Sequence, residues 1–212
     1  MSLFEQLPSV SFLDCFDVKI DIPYSHSFED KRMKKSSFKS LQPYMKRESS
    51  FDLSIGWNEE GLFIVLEDQE DHIRASWPDY RTADAFELFI DTRNLKSAGF
   101  IHRFCHHFVC LPVPVEGIQF CEVTQFRSED SHELSDLVEA ELKVLKQKKG
   151  YKMLIHLPRT CLHGYDPSSM HQLGFAYRLN KTGKDSESFP LCSENYAIEK
   201  HPSLWATLDL KS

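Results

Sequence analysis

The stretch Phe51-Asp52-Leu53-Ser54-Ile55-Gly56-Trp57-Asn58-Glu59-Glu60-Gly61-Leu62-Phe63-Ile64-Val65-Leu66-Glu67-Asp68 decides the fold. Its first half has a period of two: Phe51, Leu53, Ile55 and Trp57 alternate with polar or small residues, as a half-buried strand requires. Asn58-Glu59-Glu60-Gly61 then predicts a turn, with glycine at the position that most needs positive φ. The second half, LFIVLED, is apolar on both faces and reads as a central strand. Together the halves predict a β-hairpin.

Working outward, DAFELFID (84–91) repeats the alternation, with Phe86, Leu88 and Ile90 on one face and Glu87 and Phe89 on the other. RFCHHFVCLPV (103–113) places Phe104, His106, Phe108 and Cys110 on one side and Cys105, His107, Val109 and Leu111 on the other. The matched alternation and the short connection predict that these two are neighbouring strands on a common concave face. QFCEVTQF, YKMLIHL, LGFAYRL and SLWATLDL supply further strands, the last with Leu204, Ala206, Leu208 and Leu210 as its inward stripe. LSDLVEAELKVLKQ (134–147) fits both a helical and a strand spacing, and Lys148-Lys149-Gly150 before the next strand favours a hairpin. Pro158 followed by RTCLH and closed by Gly164 predicts one short helix. About nine strands and hardly any helix make an all-β sandwich the economical architecture, with residues 1–212 as one domain.

The composition sets further bounds. The formal charge of −7 argues against nucleic-acid binding. Residues 31–47, KRMKKSSFKSLQPYMKR, reverse it locally with seven Lys or Arg and no acid, leaving 18 basic against 32 acidic residues elsewhere. This segment reads as a polar loop, either solvated or touching an anionic partner. No apolar run is long enough to span a membrane. The N-terminus has no basic region, and Glu5, Asp14 and Asp17 interrupt its apolar residues, so the expected location is cytoplasmic. Cys15, Cys105, Cys110, Cys121, Cys161 and Cys192 are irregularly spaced with no CxxC pair, which predicts free thiols. No GxSxG, HExxH, P-loop or GxGxxG is present, so neither an enzyme nor a bound cofactor is expected.

The order of motifs resembles the family 9 carbohydrate-binding modules and the wider DOMON-like superfamily. A strand ends in Trp57, an apolar strand follows, Trp77 and Tyr80 fall in a loop, and Asp84-Ala85-Phe86-Glu87-Leu88-Phe89-Ile90-Asp91 matches the family's Asp-Ser-Val-Glu-Leu-Phe-Ile-Asp. LGFAYRLN is similar to the family's Gly-Phe strand ending in Asn, and HPSLWATLDL to its closing strand. The resemblance covers roughly residues 51–210. It implies a DOMON-like sandwich, related to immunoglobulin-like and jelly-roll folds. It also implies a non-catalytic module that binds a saccharide or similar polyol between two aromatic walls.

The first wall would be Trp77 or Tyr80 and the second Tyr196. Glu87 matches the motif glutamate, and His106 or His107 stands on the next strand. Tyr at the second wall and a His pair, where family members often carry Trp and Arg or Asn, depart from the pattern.

Each of these residues has a structural reading beside the functional one. Trp77 and Tyr80 either anchor their loop or form a ligand platform. Glu87 either pairs with a nearby Arg in the interior or contacts sugar. Trp57 and Trp205 read as core. His102 and His106 are expected on one face of the strand and Cys105 and His107 on the other. Adjacent strand residues cannot cage a metal alone, and a site would need Glu122, His132 or Cys121; no metal is expected. A haem would need Met153 or His106 facing a pocket, and nothing marks either. The alternative function is a protein-interaction or structural sandwich that has lost sugar binding.

Overall fold

Gly61 opens the second strand of the 51–68 hairpin at φ +147°, where a Cβ would lie 2.1 Å from the carbonyl oxygen of Leu157. Only glycine fits this position, and the hairpin pairs as expected, Asn58 against Gly61 through Phe51 against Asp68. The computed structural model describes residues 18–35, 51–70, 73–191 and 196–211. In chain order these form β1 (Lys19–Pro23), α1 (Lys31–Lys35), β2 (Phe51–Asn58), β3 (Gly61–Asp68), β4 (Ala85–Asp91) and β5 (Cys105–Val115). Then come β6 (Ile118–Glu122), β7 (Glu141–Lys146), β8 (Tyr151–Pro158), β9 (Gln172–Asn180), β10 (Glu187–Phe189) and β11 (Ala206–Lys211).

The strands make two sheets, one ordered β1-β11-β9-β4-β5-β6 with β10 on β9, the other β2-β3-β8-β7. β1 pairs parallel with β11, and the other named strand pairs are antiparallel. Inward residues of both sheets form one core. Leu53, Ile55, Ile64, Leu66, Met153 and Ile155 of the smaller sheet meet Phe86, Leu88, Ile90, Phe108, Phe175 and Leu208 of the larger. The described residues form a β-sandwich with one short α-helix, and β4 and β5 are neighbours in register from Phe86–Cys110 to Asp91–Cys105. No helix of the described residues is long and apolar enough to cross a membrane.

The helix lies elsewhere than expected. Pro158 remains in β8, and Arg159–Cys161 makes only a single 3-10 turn. The α-helix is instead Lys31–Lys35, at the start of the basic segment read as a loop. Met33, 1% exposed, explains it: the side chain packs on Phe63 and Val65 of β3. A one-turn helix holds a single apolar anchor and so shows no periodicity to read. Residues 36–47 lie outside the described residues. β3 is apolar on both faces because its outer face carries this helix.

Within 134–147, the strand expectation is met by β7. Leu137–Glu139 forms a 3-10 turn before it. Leu204 sits in another such turn, so the closing stripe is Ala206, Leu208 and Leu210. Cys105, Cys110, Cys121 and Cys161 are free thiols. Cys15 and Cys192 lie outside the described residues.

Candidate functional site

β4 runs between β9 and β5, and its period of two sends Glu87 and Phe89 to the outer face of the larger sheet. There Glu87 is fully buried among polar side chains from both neighbouring strands. His107 Nε2 lies 2.8 Å from Glu87 Oε2. Arg178 Nη1 donates to both carboxylate oxygens at 3.2 and 3.4 Å. Asn180 Nδ2 donates to Oε1 at 2.7 Å.

A second carboxylate caps the group. Arg178 Nη2 donates to Glu199 at 2.7 Å, and Arg81 lies 3.5 Å from Glu199 and 3.9 Å from Glu87. Among the described residues, the Nε of Arg178 is buried with no hydrogen-bond partner.

An apolar floor supports these groups. Phe89 packs with Ile101, Cys105, Ala176, Ile198 and Trp205 in a second cluster outside the sandwich core. The His107 ring lies 4.4 Å from Phe89, and the Arg178 guanidinium 5.7 Å above it. Trp205 is core, as read, but it faces this floor and not the interior between the sheets. Along one side, Tyr80 meets His107 edge-on at 6.5 Å, and Trp77 stacks on Tyr80 at 5.7 Å. Both loop aromatics are half-buried.

Burial pushes the Glu87 carboxyl up. The hydrogen bond and charge of His107, with Arg178 and Asn180, outweigh that and hold it at about 2. Its folded value therefore lies below the ordinary 4.5. The stability it contributes is complete above about pH 4.5 and is lost as pH falls toward about 2. Urea midpoints measured from pH 6 down to 3 are expected to fall less steeply in Glu87→Gln than in the wild-type chain. Equal slopes would show that the group carries no such stabilisation.

Four expected site residues come together here: Trp77, Tyr80, Glu87 and His107. His106 does not. As the neighbour of His107 on a strand, it points through the sheet to the opposite face, stacked on Phe108 at 5.5 Å with Nδ1 2.9 Å from Glu122. Tyr196 is 43% exposed on the segment that delivers Glu199, and among the described residues its ring contacts no other aromatic. His102 also departs from expectation, because β5 begins at Cys105 and His102 belongs to the preceding turn.

Arg178, Asn180, Arg81 and Glu199 were not expected at the site. Arg178 and Asn180 carried a signal: both share parity with Ala176 on β9, opposite the inward Phe175, Tyr177 and Leu179. A charge on the outward stripe of an apolar strand marks a partner across the sheet. Arg81 and Glu199 lie in turns and carry no periodicity.

Burial raises the Glu122 carboxyl, but hydrogen bonds from His106, His132 and Thr124 outweigh it and hold the group well below the usual carboxylate range. Among the described residues, two sets of side chains have ligating atoms close enough to hold a metal: Asp91, His102 and Cys105, and His106, Glu122 and His132.

No protein-family model and no curated protein matches the sequence. Solved structures do. A family 9 carbohydrate-binding module from Caldicellulosiruptor kristjanssonii in complex with cellotriose aligns with a TM-score of 0.65 at 13% identity, over 92% of this chain and 94% of that one. The glucose complex aligns with the same score and identity over 92% and 96%. In its two sheets, the chain has the fold of the family 9 carbohydrate-binding modules.

Proposed function

We propose that this chain is a non-catalytic carbohydrate-binding module that holds a saccharide or similar polyol on the outer face of its larger sheet. One observation carries the reading: the Trp77–Tyr80 stack stands beside a buried polar group of Glu87, His107, Arg178 and Asn180. Sugars present C–H faces that lie on aromatic rings, and hydroxyls that exchange directional hydrogen bonds with charged and amide groups. The cellotriose and glucose bound by the two structural neighbours support the ligand class.

Isothermal titration with glucose and cello-oligosaccharides, beside a glycan array, tests the proposal. Trp77→Ala and Tyr80→Ala are each expected to weaken binding by about 5–150-fold, in line with about 1–3 kcal/mol for a stacked ring. The melting temperature should stay close to that of the wild-type chain. A wild-type chain that binds no glycan would defeat the reading.

One observation favours the alternative of a structural or protein-interaction sandwich. Glu87 already has His107, Arg178 and Asn180 as partners within the chain. Under that reading both aromatic variants lose stability, and no glycan binds.

A further inference from the structure

His106, Glu122 and His132 meet on the side of β5 opposite the proposed sugar site. We infer that they form a binding site for one divalent transition-metal ion, of which Zn²⁺ is the best match. His106 Nδ1 lies 2.9 Å and His132 Nε2 3.1 Å from the same oxygen, Glu122 Oε1. The three ligating atoms lie within 4.8 Å of one another. Zinc bonds of about 2.0–2.1 Å at tetrahedral angles set ligand atoms about 3.3 Å apart. For the two histidine–carboxylate pairs, an ion therefore needs shifts of only a few tenths of an ångström.

The hydrogen bonds of His132 point the same way. Its Nδ1 lies 2.6 Å from the backbone carbonyl of Arg103, a contact that requires an N–H on that nitrogen. A neutral imidazole has only one N–H. In a neutral ring Nε2 would then turn a lone pair toward the carboxylate oxygen, and a cation between them, in place of a second ring proton, makes that contact a coordination. A ring N–H held by a backbone carbonyl is also the usual outer support of a metal-bound histidine. Glu122 is supported in the same manner. The Thr124 hydroxyl donates to Oε1 at 2.6 Å and the Ser135 N–H to Oε2 at 2.7 Å. Among the described residues the His106 Nε2 is buried without a partner, so that ring has no outer support like that of His132.

The other candidate set lacks this feature. His102 Nδ1 accepts the N–H of Phe104, which leaves the proton on Nε2 facing Asp91 and Cys105. An ordinary neutral tautomer satisfies that ring, and both oxygens of Asp91 already accept turn amides from Arg93 and Leu95. Cys121, the third helper considered for a metal site, packs on the opposite face with Val109 and Leu111.

Two imidazoles and a single carboxylate suit a borderline-soft ion and do not suit Ca²⁺ or Mg²⁺, which take oxygen ligands. The ligands come from β5, the end of β6 and the connection that follows it, so the ion would pin that connection to the sheet. A hydrogen-bond chain leads onward. The Thr124 hydroxyl accepts the backbone N–H of His107 at 2.8 Å, linking the ion's carboxylate to the strand residue behind the proposed sugar site.

The test uses the untagged full chain, stripped with a chelator and reloaded with Zn²⁺ or Co²⁺. Elemental analysis should find one ion per chain, and Co²⁺ should give visible d–d absorption that Zn²⁺ abolishes. A hundredfold excess of free Zn²⁺ over its dissociation constant should raise the melting temperature by about 5–10 °C.

His132→Ala removes a ligand from the connection and leaves both strands intact. It should lower Zn²⁺ affinity by about 100-fold or more, beyond the usual loss from an outer partner. Glu122→Gln should do the same, and His171→Ala, an exposed histidine elsewhere, should bind like the wild-type chain. Substoichiometric uptake by the wild-type chain, or equal uptake by folded His132→Ala, would overturn the inference. The cluster would then be a protonated histidine–carboxylate group. No sugar is needed for any of these measurements, so the result is independent of the glycan reading.

Discussion

Glu87→Ala is expected to lower folding stability by about 3–5 kcal/mol, because it leaves the Arg178 guanidinium buried after removing one of its two carboxylates. Arg178 and Glu87 have side-chain exposures of 6% and 0%, so water cannot take over the lost contact without opening the face. For a chain of this length the melting temperature should fall by about 10 °C or more. Glu87→Gln keeps the volume and a carbonyl for Asn180 and Arg178, so its loss should be smaller and in the same direction. Thermal melts and urea titrations on both variants measure this. A Glu87→Ala chain as stable as wild type would mean that the polar group on β4 is held together by something other than its charges. A drop confined to glycan affinity would assign Glu87 to ligand contact alone.

Trp205→Ala should cost about 3–5 kcal/mol for a different reason. The indole is 1% exposed, its ring centre lies 5.9 Å from that of Phe89, and Nε1 donates to the carbonyl of Ile198 at 2.7 Å. Removal opens a cavity beneath the platform and leaves that carbonyl with only the longer bond from the His201 N–H at 3.4 Å. Trp205→Phe keeps most of the packing and loses the hydrogen bond, so about 1–2 kcal/mol is expected. Since Phe89 carries both His107 and Arg178 above it, Trp205→Ala should weaken glycan binding together with stability, whereas Trp77→Ala weakens binding alone. Calorimetric melts paired with one binding isotherm per variant separate the two patterns. A Trp205→Ala chain that unfolds with the wild-type midpoint would show that the outer cluster contributes little to the fold.

The alternation of β4 and β5 was legible because a period of two needs only neighbouring residues. Glu87 and Phe89 share a face whatever the rest of the chain does, and so do His107 and Cys105. The same rule separates His106 from His107. Adjacent residues of one strand cannot both serve a site on a single face of the sheet. The helix Lys31–Lys35 was not legible. One buried methionine among lysines and an arginine has no period, and only the outer face of β3 gives Met33 something to cover.

The sequence made legible nine of the eleven described strands, the 58–61 turn and the faces of β4 and β5, which depend on local sterics and on burying one side of each strand, but not β1 or the three-residue β10. It also carried the family resemblance, because the motifs occur in order along the chain. Tertiary structure alone decided which charges meet. Glu87 and Arg178 are 91 residues apart, and Arg178 and Glu199 join only because β9 lies beside β4 and a 3-10 turn crosses over it. The His106–Glu122–His132 cluster likewise forms only when β6 pairs with β5 and the following connection folds back over both. Periodicity specifies the face on which a side chain lies, but strand order specifies its neighbours across the sheet, and strand order is set by the global burial of apolar faces.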